Sequence, residues 1–185
     1  MPIRHLQFSR RLVVGGAAAF ALVRPALAQP TPACGRVTAA QTEGPFFKPR
    51  SPLRASLIEP GMAGEPLRIT GRVLTRFCQP VSGAMLEFWQ ADAAGAYDNS
   101  GYRFRGHQLA DAEGRYDLAT ILPGRYPGRA RHIHVKVAAP GRPPLTTQLY
   151  FPGDAGNARD GIWRRELEIT LAKGDGRFDF VLDLG

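Results

Sequence analysis

The segment Tyr126-Pro127-Gly128-Arg129-Ala130-Arg131-His132-Ile133-His134-Val135-Lys136-Val137 gathers most of the chemistry-bearing side chains of this chain, including two of its four histidines. On a strand, the spacing of His132 and His134 sends both imidazoles to one face while Ile133, Val135 and Val137 point to the other. Two imidazoles a few ångströms apart can bind a single metal ion. Exposed strands also carry such pairs by chance, so the pair alone does not define a site. A tetrahedral zinc site would need further nitrogen or sulfur ligands, yet Cys34, Cys78 and His107 stand far apart and His5 lies near the N-terminus. Tyrosine offers another donor: a phenolate is a hard anionic oxygen that suits ferric iron, whose charge depresses the phenol pKa from ~10. Tyr97 and Tyr126 stand in loop-like stretches, the second just before the histidine pair. Taken singly, each tyrosine is as well explained as a packed aromatic.

Donors on separate segments must be brought together by a rigid framework, and the sequence supplies one made of strands. Leu67 to Arg76, Ala84 to Gln90, Arg115 to Ile121, His132 to Ala138, Leu145 to Phe151, Arg164 to Leu171 and Arg177 to Leu184 are β-rich runs bounded by Gly, Pro, Asp or Asn. Seven such runs predict an all-β, antiparallel β-sandwich over residues 67–185. In the last run Phe178, Phe180, Leu182 and Leu184 alternate with Asp179, Val181 and Asp183, giving one apolar face. Residues 29–66 are rich in Pro, Gly and polar side chains without a sustained period, and read as an extended N-terminal arm. Phe88 and Trp89 are expected in the core.

The whole chain has 185 residues, 44% of them hydrophobic and 22% charged, with 21 Gly and 16 Pro. That composition excludes collagen-like, coiled-coil and largely disordered classes. Formal charge is +8, but Arg4, Arg10, Arg11 and Arg24 fall in the first 28 residues, leaving too little excess to argue for nucleic acid as a partner.

Residues 1–28 read as a cleavable export signal: basic residues to Arg11, an apolar run from Leu12 to Val23, and Ala26-Leu27-Ala28 before Gln29. The apolar run is shorter than the ~20 residues that span a bilayer, so no stable membrane span is expected after processing. Ser9-Arg10-Arg11-Leu12-Val13-Val14 resembles a twin-arginine signal, pointing to a periplasmic destination. In an oxidising compartment Cys34 and Cys78 could close a 43-residue loop, worth on the order of 3–4 kcal/mol.

Several segments then combine into a resemblance. Thr42-Glu43-Gly44-Pro45-Phe46-Phe47, Leu86-Glu87-Phe88-Trp89-Gln90-Ala91-Asp92 through Tyr97, Phe104-Arg105-Gly106-His107-Gln108, Asp111-Ala112-Glu113-Gly114-Arg115-Tyr116, and Pro123-Gly124-Arg125-Tyr126-Pro127 before His132-Ile133-His134 occur in order. Together they resemble the intradiol ring-cleavage dioxygenases, most closely the protocatechuate 3,4-dioxygenase type. The resemblance implies a prealbumin-like sandwich holding one non-haem Fe(III) per chain through Tyr97, Tyr126, His132 and His134. Tyr102 competes for the first position, but the family spacing from Trp89 selects Tyr97.

The same resemblance implies that Arg129 and Gln148 line the substrate site, Arg129 stabilising negative charge on the ring. Tyr126 is displaced by substrate and takes one of its protons. The implied partners are a small aromatic diol and O2, the reaction being cleavage between the two hydroxylated carbons to a cis,cis-muconate-type product. Self-association into a homo-oligomer is compatible with it. Only six positions separate Tyr126 from His132, a shorter connection than is usual in the family, which lowers one cavity wall. The alternative is a non-catalytic sandwich module that binds metal, polyphenol or polysaccharide. His107 is expected to order its loop by hydrogen bonding rather than to bind metal.

Overall fold

Leu67, Ile69 and Val73 are buried between exposed or half-buried neighbours, and this alternation makes Pro66–Thr75 the long central strand, β1. The computed structural model describes residues 35–184 together with Met1, and residues 35–184 belong to one compact unit. The predicted export signal over residues 1–28 and the Cys34 half of the predicted disulfide lie outside the described residues, apart from Met1.

After β1 come β2 (Met85–Trp89), β3 (Arg105–Leu109), β4 (Arg115–Ile121), β5 (His132–Ala138) and β6 (Leu145–Tyr150). Two 3₁₀ turns follow, Asn157–Arg159 and Arg165–Leu167, then the short strands β7 (Thr170–Ala172), β8 (Asp175–Arg177) and β9 (Phe180–Leu182). One sheet has the order β4-β1-β8-β7, with β9 also paired to β1; the other has the order β3-β2-β5-β6. The two sheets pack face to face over Ile69, Phe88, Leu118, Ile133, Val135 and Phe180, all 0–1% exposed. The expected all-β sandwich is therefore present.

Its details differ from the pattern-based expectation in three places. Arg105–Leu109 is a strand although Arg, Gly, His and Gln hide any apolar alternation; its pairing with β2 defines it. The run 164–171 divides into a 3₁₀ turn and β7, and the run 177–184 breaks between β8 and β9 at Phe178-Asp179. Finally, β8 and β9 join β1 in parallel, so the sheet is not purely antiparallel.

The change of partner along β1 explains Gly71. Phe178 N–H donates to Thr70 O at 3.0 Å and the Asp179 carboxylate accepts from Arg72 N–H at 2.8 Å. A Cβ on Gly71 would stand 1.7 Å from Phe178 O, so only glycine lets the two backbones approach.

Residues 35–65 contain no strand and run across both sheets through isolated bonds. Thr38 N–H donates to Val181 O, Gln41 N–H to Thr146 O, Arg54 N–H to His107 O and Leu57 N–H to Ala119 O, each at 2.8–2.9 Å. Leu57, fully buried, anchors this arm in the core. Among the described residues no helix is long and apolar enough to cross a membrane.

Candidate metal centre

The pairing register of the second sheet assembles the site. Trp89 on β2 lies opposite His134 on β5, His134 lies opposite Gln148 on β6, and His132 lies opposite Tyr150. Side chains at alternate positions share a face, so Trp89, His132, His134, Gln148 and Tyr150 project together from the side turned away from Ile133 and Val135. The arm covers that face.

On it, His132 Nε2 and His134 Nε2 approach to 3.1 Å, and the Tyr97 hydroxyl lies 3.3 Å from His132 Nε2. His132 Nδ1 faces the carbonyl of Ala130 at 2.7 Å. A carbonyl only accepts, so the Nδ1 side carries the proton and Nε2 presents its lone pair to the cluster. Both imidazoles are buried, 4% and 2% exposed. Burial holds His132 neutral, lowering its pKa to about 4, with the Ala130 hydrogen bond opposing and the Arg129 charge assisting. His134 is pushed down further by burial, then by His132, Arg129 and Arg105. Burial raises the Tyr97 phenol well above its ordinary value, against the pull of Arg129 and Arg105.

Tyr97 is delivered by the loop after β2. Asp98 shapes that loop, its carboxylate accepting from the N–H groups of Ser100, Gly101 and Arg103 at 2.7–3.0 Å. These bonds, Gly101 first and then Arg103, hold its pKa far below the carboxylate range. Arg105, 1% exposed, donates from Nε and Nη2 to Asp98 O and from Nη1 to Phe46 O. It thereby ties the Tyr97 loop to the arm. Phe46 stacks on Tyr97, with ring centroids 4.3 Å apart and planes 12° apart.

Tyr126 meets the cluster through its ring, 6.1 Å from that of Tyr97 and 5.2 Å from that of Phe46. Among the described residues no hydrogen bond joins its hydroxyl to either imidazole. Tyr102 turns away, its hydroxyl donating to Pro49 O at 3.0 Å and its ring lying under Lys48 Nζ. His107 Nδ1 contacts Ser51 Oγ at 3.2 Å and ties down the arm, well apart from the paired imidazoles.

Arg129 donates from Nε to Asp160 at 2.8 Å and from Nη2 to Gln148 Oε1 at 2.7 Å and Tyr150 at 3.3 Å. Because a guanidinium only donates, its contact fixes which end of the Gln148 amide is oxygen. The Gln148 amide nitrogen then donates to Thr42 O at 2.9 Å. Both Nη1 hydrogens of Arg129 are left without a partner among the described residues. A cavity of about 330 Å³ is lined by Tyr126, Gly128, Arg129 and Arg159 among others. A larger cavity of about 490 Å³ at the far end of β5, lined by Val37, Pro143 and Leu182, holds none of these donors, so volume does not mark the site.

The expected residues Tyr97, Tyr126, His132, His134, Arg129 and Gln148 thus lie in one region. Trp89 was expected in the core, but its indole lies on the site face, stacked on His134 with centroids 4.8 Å apart and planes 7° apart. Phe88 does enter the core, and strict alternation along β2 would have sent Trp89 to the opposite side. Gly44 also belongs to the site: a Cβ there would meet His134 Cε1 at 3.2 Å.

The donor set fits a hard metal ion. Two buried imidazoles bring their Nε2 atoms together with a phenolic oxygen beside them, an arrangement that a shared cation completes. Among the described residues no cluster of three or more His, Cys, Asp or Glu exists, because the remaining donors here are tyrosines.

Comparison with known proteins adds independent findings. A family model described as Dioxygenase matches residues 42–173. The chain is similar to a hydroxyquinol 1,2-dioxygenase of Nocardioides simplex, 35% identical over 153 residues, covering 70% of this chain and 52% of that protein. It is 38% identical over 135 residues to the protocatechuate 3,4-dioxygenase beta chain of Burkholderia cepacia, covering 62% and 57%. The chain thus spans little more than half the length of these two curated relatives. Among solved structures, the dioxygenase domain of a dioxygenase–carbohydrate-binding protein fusion from Streptomyces sp. SirexAA-E shares 52% identity with a TM-score of 0.78, covering 81% of this chain and all of that one. The 3-chlorocatechol 1,2-dioxygenase of Rhodococcus opacus 1CP shares 28% identity with a TM-score of 0.71, covering 79% and 72%.

Proposed function

The chain belongs to the intradiol ring-cleavage dioxygenase family, and from that premise we propose that it is a non-haem Fe(III) enzyme opening a catechol-type ring. Cleavage falls between the two hydroxylated carbons, with both atoms of O2 incorporated, and yields a cis,cis-muconate-type product. The observation that carries this reading is the convergence of the Tyr97 hydroxyl and the two imidazole Nε2 atoms within 3.1–3.3 Å contacts, with Arg129 at the rim.

In this reading Tyr97, Tyr126, His132 and His134 hold one ferric ion. When bound, the ion supplies Lewis acidity that keeps phenolic oxygens deprotonated and makes a bound catechol reactive towards O2. The protein's part follows from its own geometry. His132 is held in one tautomer by Ala130 O, which keeps its Nε2 available. Tyr126 sits on the β4–β5 loop, next to the cavity, with its hydroxyl unattached to the imidazoles. It is therefore the oxygen able to swing aside and accept a substrate hydroxyl proton. Arg129 lines that cavity with its Nη1 donors uncommitted, which suits it to stabilise negative charge on the ring. Phe46 and Trp89 pack against Tyr97 and His134 and limit the entry of water.

Oxygen uptake tests the proposal. Iron-loaded protein should be wine-red and consume O2 with at least one of catechol, protocatechuate, hydroxyquinol or a lignin-derived catechol, without a reductant. Colour without uptake across that panel would instead support a binding module. The place of action belongs to the same proposal: export to the periplasm through the twin-arginine-like signal, with Cys34 and Cys78 paired.

A further inference from the structure

We infer that Asp160 is a positioning residue that sets the plane of the Arg129 guanidinium and, through the backbone of Ala130, the seat of His132. The inference rests on the dioxygenase reading, and nothing in the sequence motifs marks Asp160.

The Asp160 side chain is 2% exposed and its two oxygens take up three donors. Oδ2 accepts from Arg129 Nε at 2.8 Å and from Ala130 N–H at 3.0 Å, and Oδ1 accepts from Ile162 N–H at 3.1 Å. A guanidinium is a rigid plane, so fixing Nε on Asp160 and Nη2 on Gln148 dictates where Nη1 points. Removing the Nε anchor leaves one contacted edge about which the plane can turn. The remaining restraints are the Nη2 contacts to Gln148 and Tyr150 and the backbone bond from Arg129 N–H to Tyr126 O, and none of them holds the Nε edge.

The same carboxylate reaches the metal side. Residue Ala130 is held on both sides of its Cα, its N–H donating to Asp160 and its carbonyl accepting from His132 Nδ1 at 2.7 Å. One carboxylate therefore anchors both the Arg129 guanidinium and the residue whose carbonyl orients an imidazole. The nearby acid Asp154 is equally buried at 4% exposed but serves Arg125 and Arg131 and does not touch Arg129, which makes it a matched control.

Turnover of three variants is the first test of the inference. In iron-loaded enzyme, Asp160→Asn should lower kcat per bound iron about 100-fold, the scale for misplacing one charge-stabilising donor, with KM changed less than about threefold. Asp154→Asn should leave kcat per iron within about twofold. In an Arg129→Gln background Asp160→Asn should cost less than about threefold further. A full additional loss there, or a single-variant kcat near that of the unsubstituted enzyme, overturns the inference.

A second readout needs neither turnover nor a variant. In metal-free protein the nitrogen-15 NMR signal of Arg129 Nε–H should exchange with water far more slowly than that of exposed Arg36; equal rates overturn the inference even if Asp160→Asn does not fold. Absence of oxygen uptake by unsubstituted enzyme would sink the dioxygenase reading instead, and the NMR result would still report on the anchor.

Discussion

Trp89 lies flat against His134, the two rings 4.8 Å apart and 7° from parallel, so the indole fixes the plane of an imidazole it does not bond. Backbone register creates this contact, since the two residues face each other across β2 and β5. Trp89→Leu keeps an apolar side chain but removes the flat support. It should weaken metal retention on the order of 10-fold, the size of many outer-shell effects, read as faster loss of iron to a chelator. Unchanged retention would show that the stack is only packing.

His134→Ala should abolish both iron retention and colour, because one of the two facing nitrogens disappears. Tyr97→Phe keeps the ring on Phe46 but deletes the oxygen 3.3 Å from His132. That variant should fold with an unchanged far-ultraviolet spectrum and lose or strongly shift its visible band. A colourless, zinc-loaded protein insensitive to Tyr97→Phe would contradict the tyrosine assignment.

Arg129→Ala should retain iron and colour while kcat falls about 100–1,000-fold. It should also destabilise the protein by about 3 kcal/mol, because Asp160 is left buried without its cation. Urea unfolding and turnover on the same preparation separate the two effects. An unchanged rate would remove Arg129 from the chemistry.

Gly44 has φ of +70°, and a Cβ there would press on His134 Cε1 at 3.2 Å. Gly44→Ala therefore combines backbone strain of about 1 kcal/mol with displacement of an imidazole. The melting temperature should drop by several degrees, and added iron should restore less stability than it does for the unsubstituted protein. A variant stabilised by iron to the full normal extent would disprove the coupling.

The buried Asp154 carboxylate predicts the acid limb of stability. Burial alone would raise its pKa, but the Gly156 N–H, Arg125 and Arg131 outweigh burial and lower it. A folded pKa below the unfolded value of about 3.9 gives stability that is fully present above that value and lost as pH falls through the folded one. Asp154→Asn should thus cost about 2 kcal/mol at pH 7 and progressively less below pH 4. Urea midpoints at pH 7 and pH 3 give the comparison, and a pH-independent difference would contradict it.

Much of this architecture was legible in the residues. The His132/His134 spacing predicted a shared face, and the strand around it runs from His132 to Ala138 as expected. The sandwich itself followed from short β-rich runs between turn residues. What stayed hidden depends on pairing rather than pattern. In Arg105–Leu109 the polar Arg105 and Gln108 are buried, the arginine tying the carbonyls of Phe46 and Asp98, and no period in sequence signals that. The parallel attachment of β8 and β9 hinges on Gly71 admitting Phe178 O, a contact over a hundred residues long in sequence. Asp160 escaped notice because its role comes from neighbours on other elements, whereas Trp89 is buried as expected but turned to the site face.

The arm that roofs the site gives the centre a second consequence, in time rather than in space. Gln148 reaches Thr42 and Thr147 reaches Ala39 across sequence separations of 106 and 108 residues. Such contacts depend on closing long loops, which makes them slower to form than pairing between strands near in sequence. The strand bearing the two histidines can pair with its neighbours before the roof is laid. In the proposed function, ion capture by the two imidazoles and docking of the arm over them are therefore distinct steps.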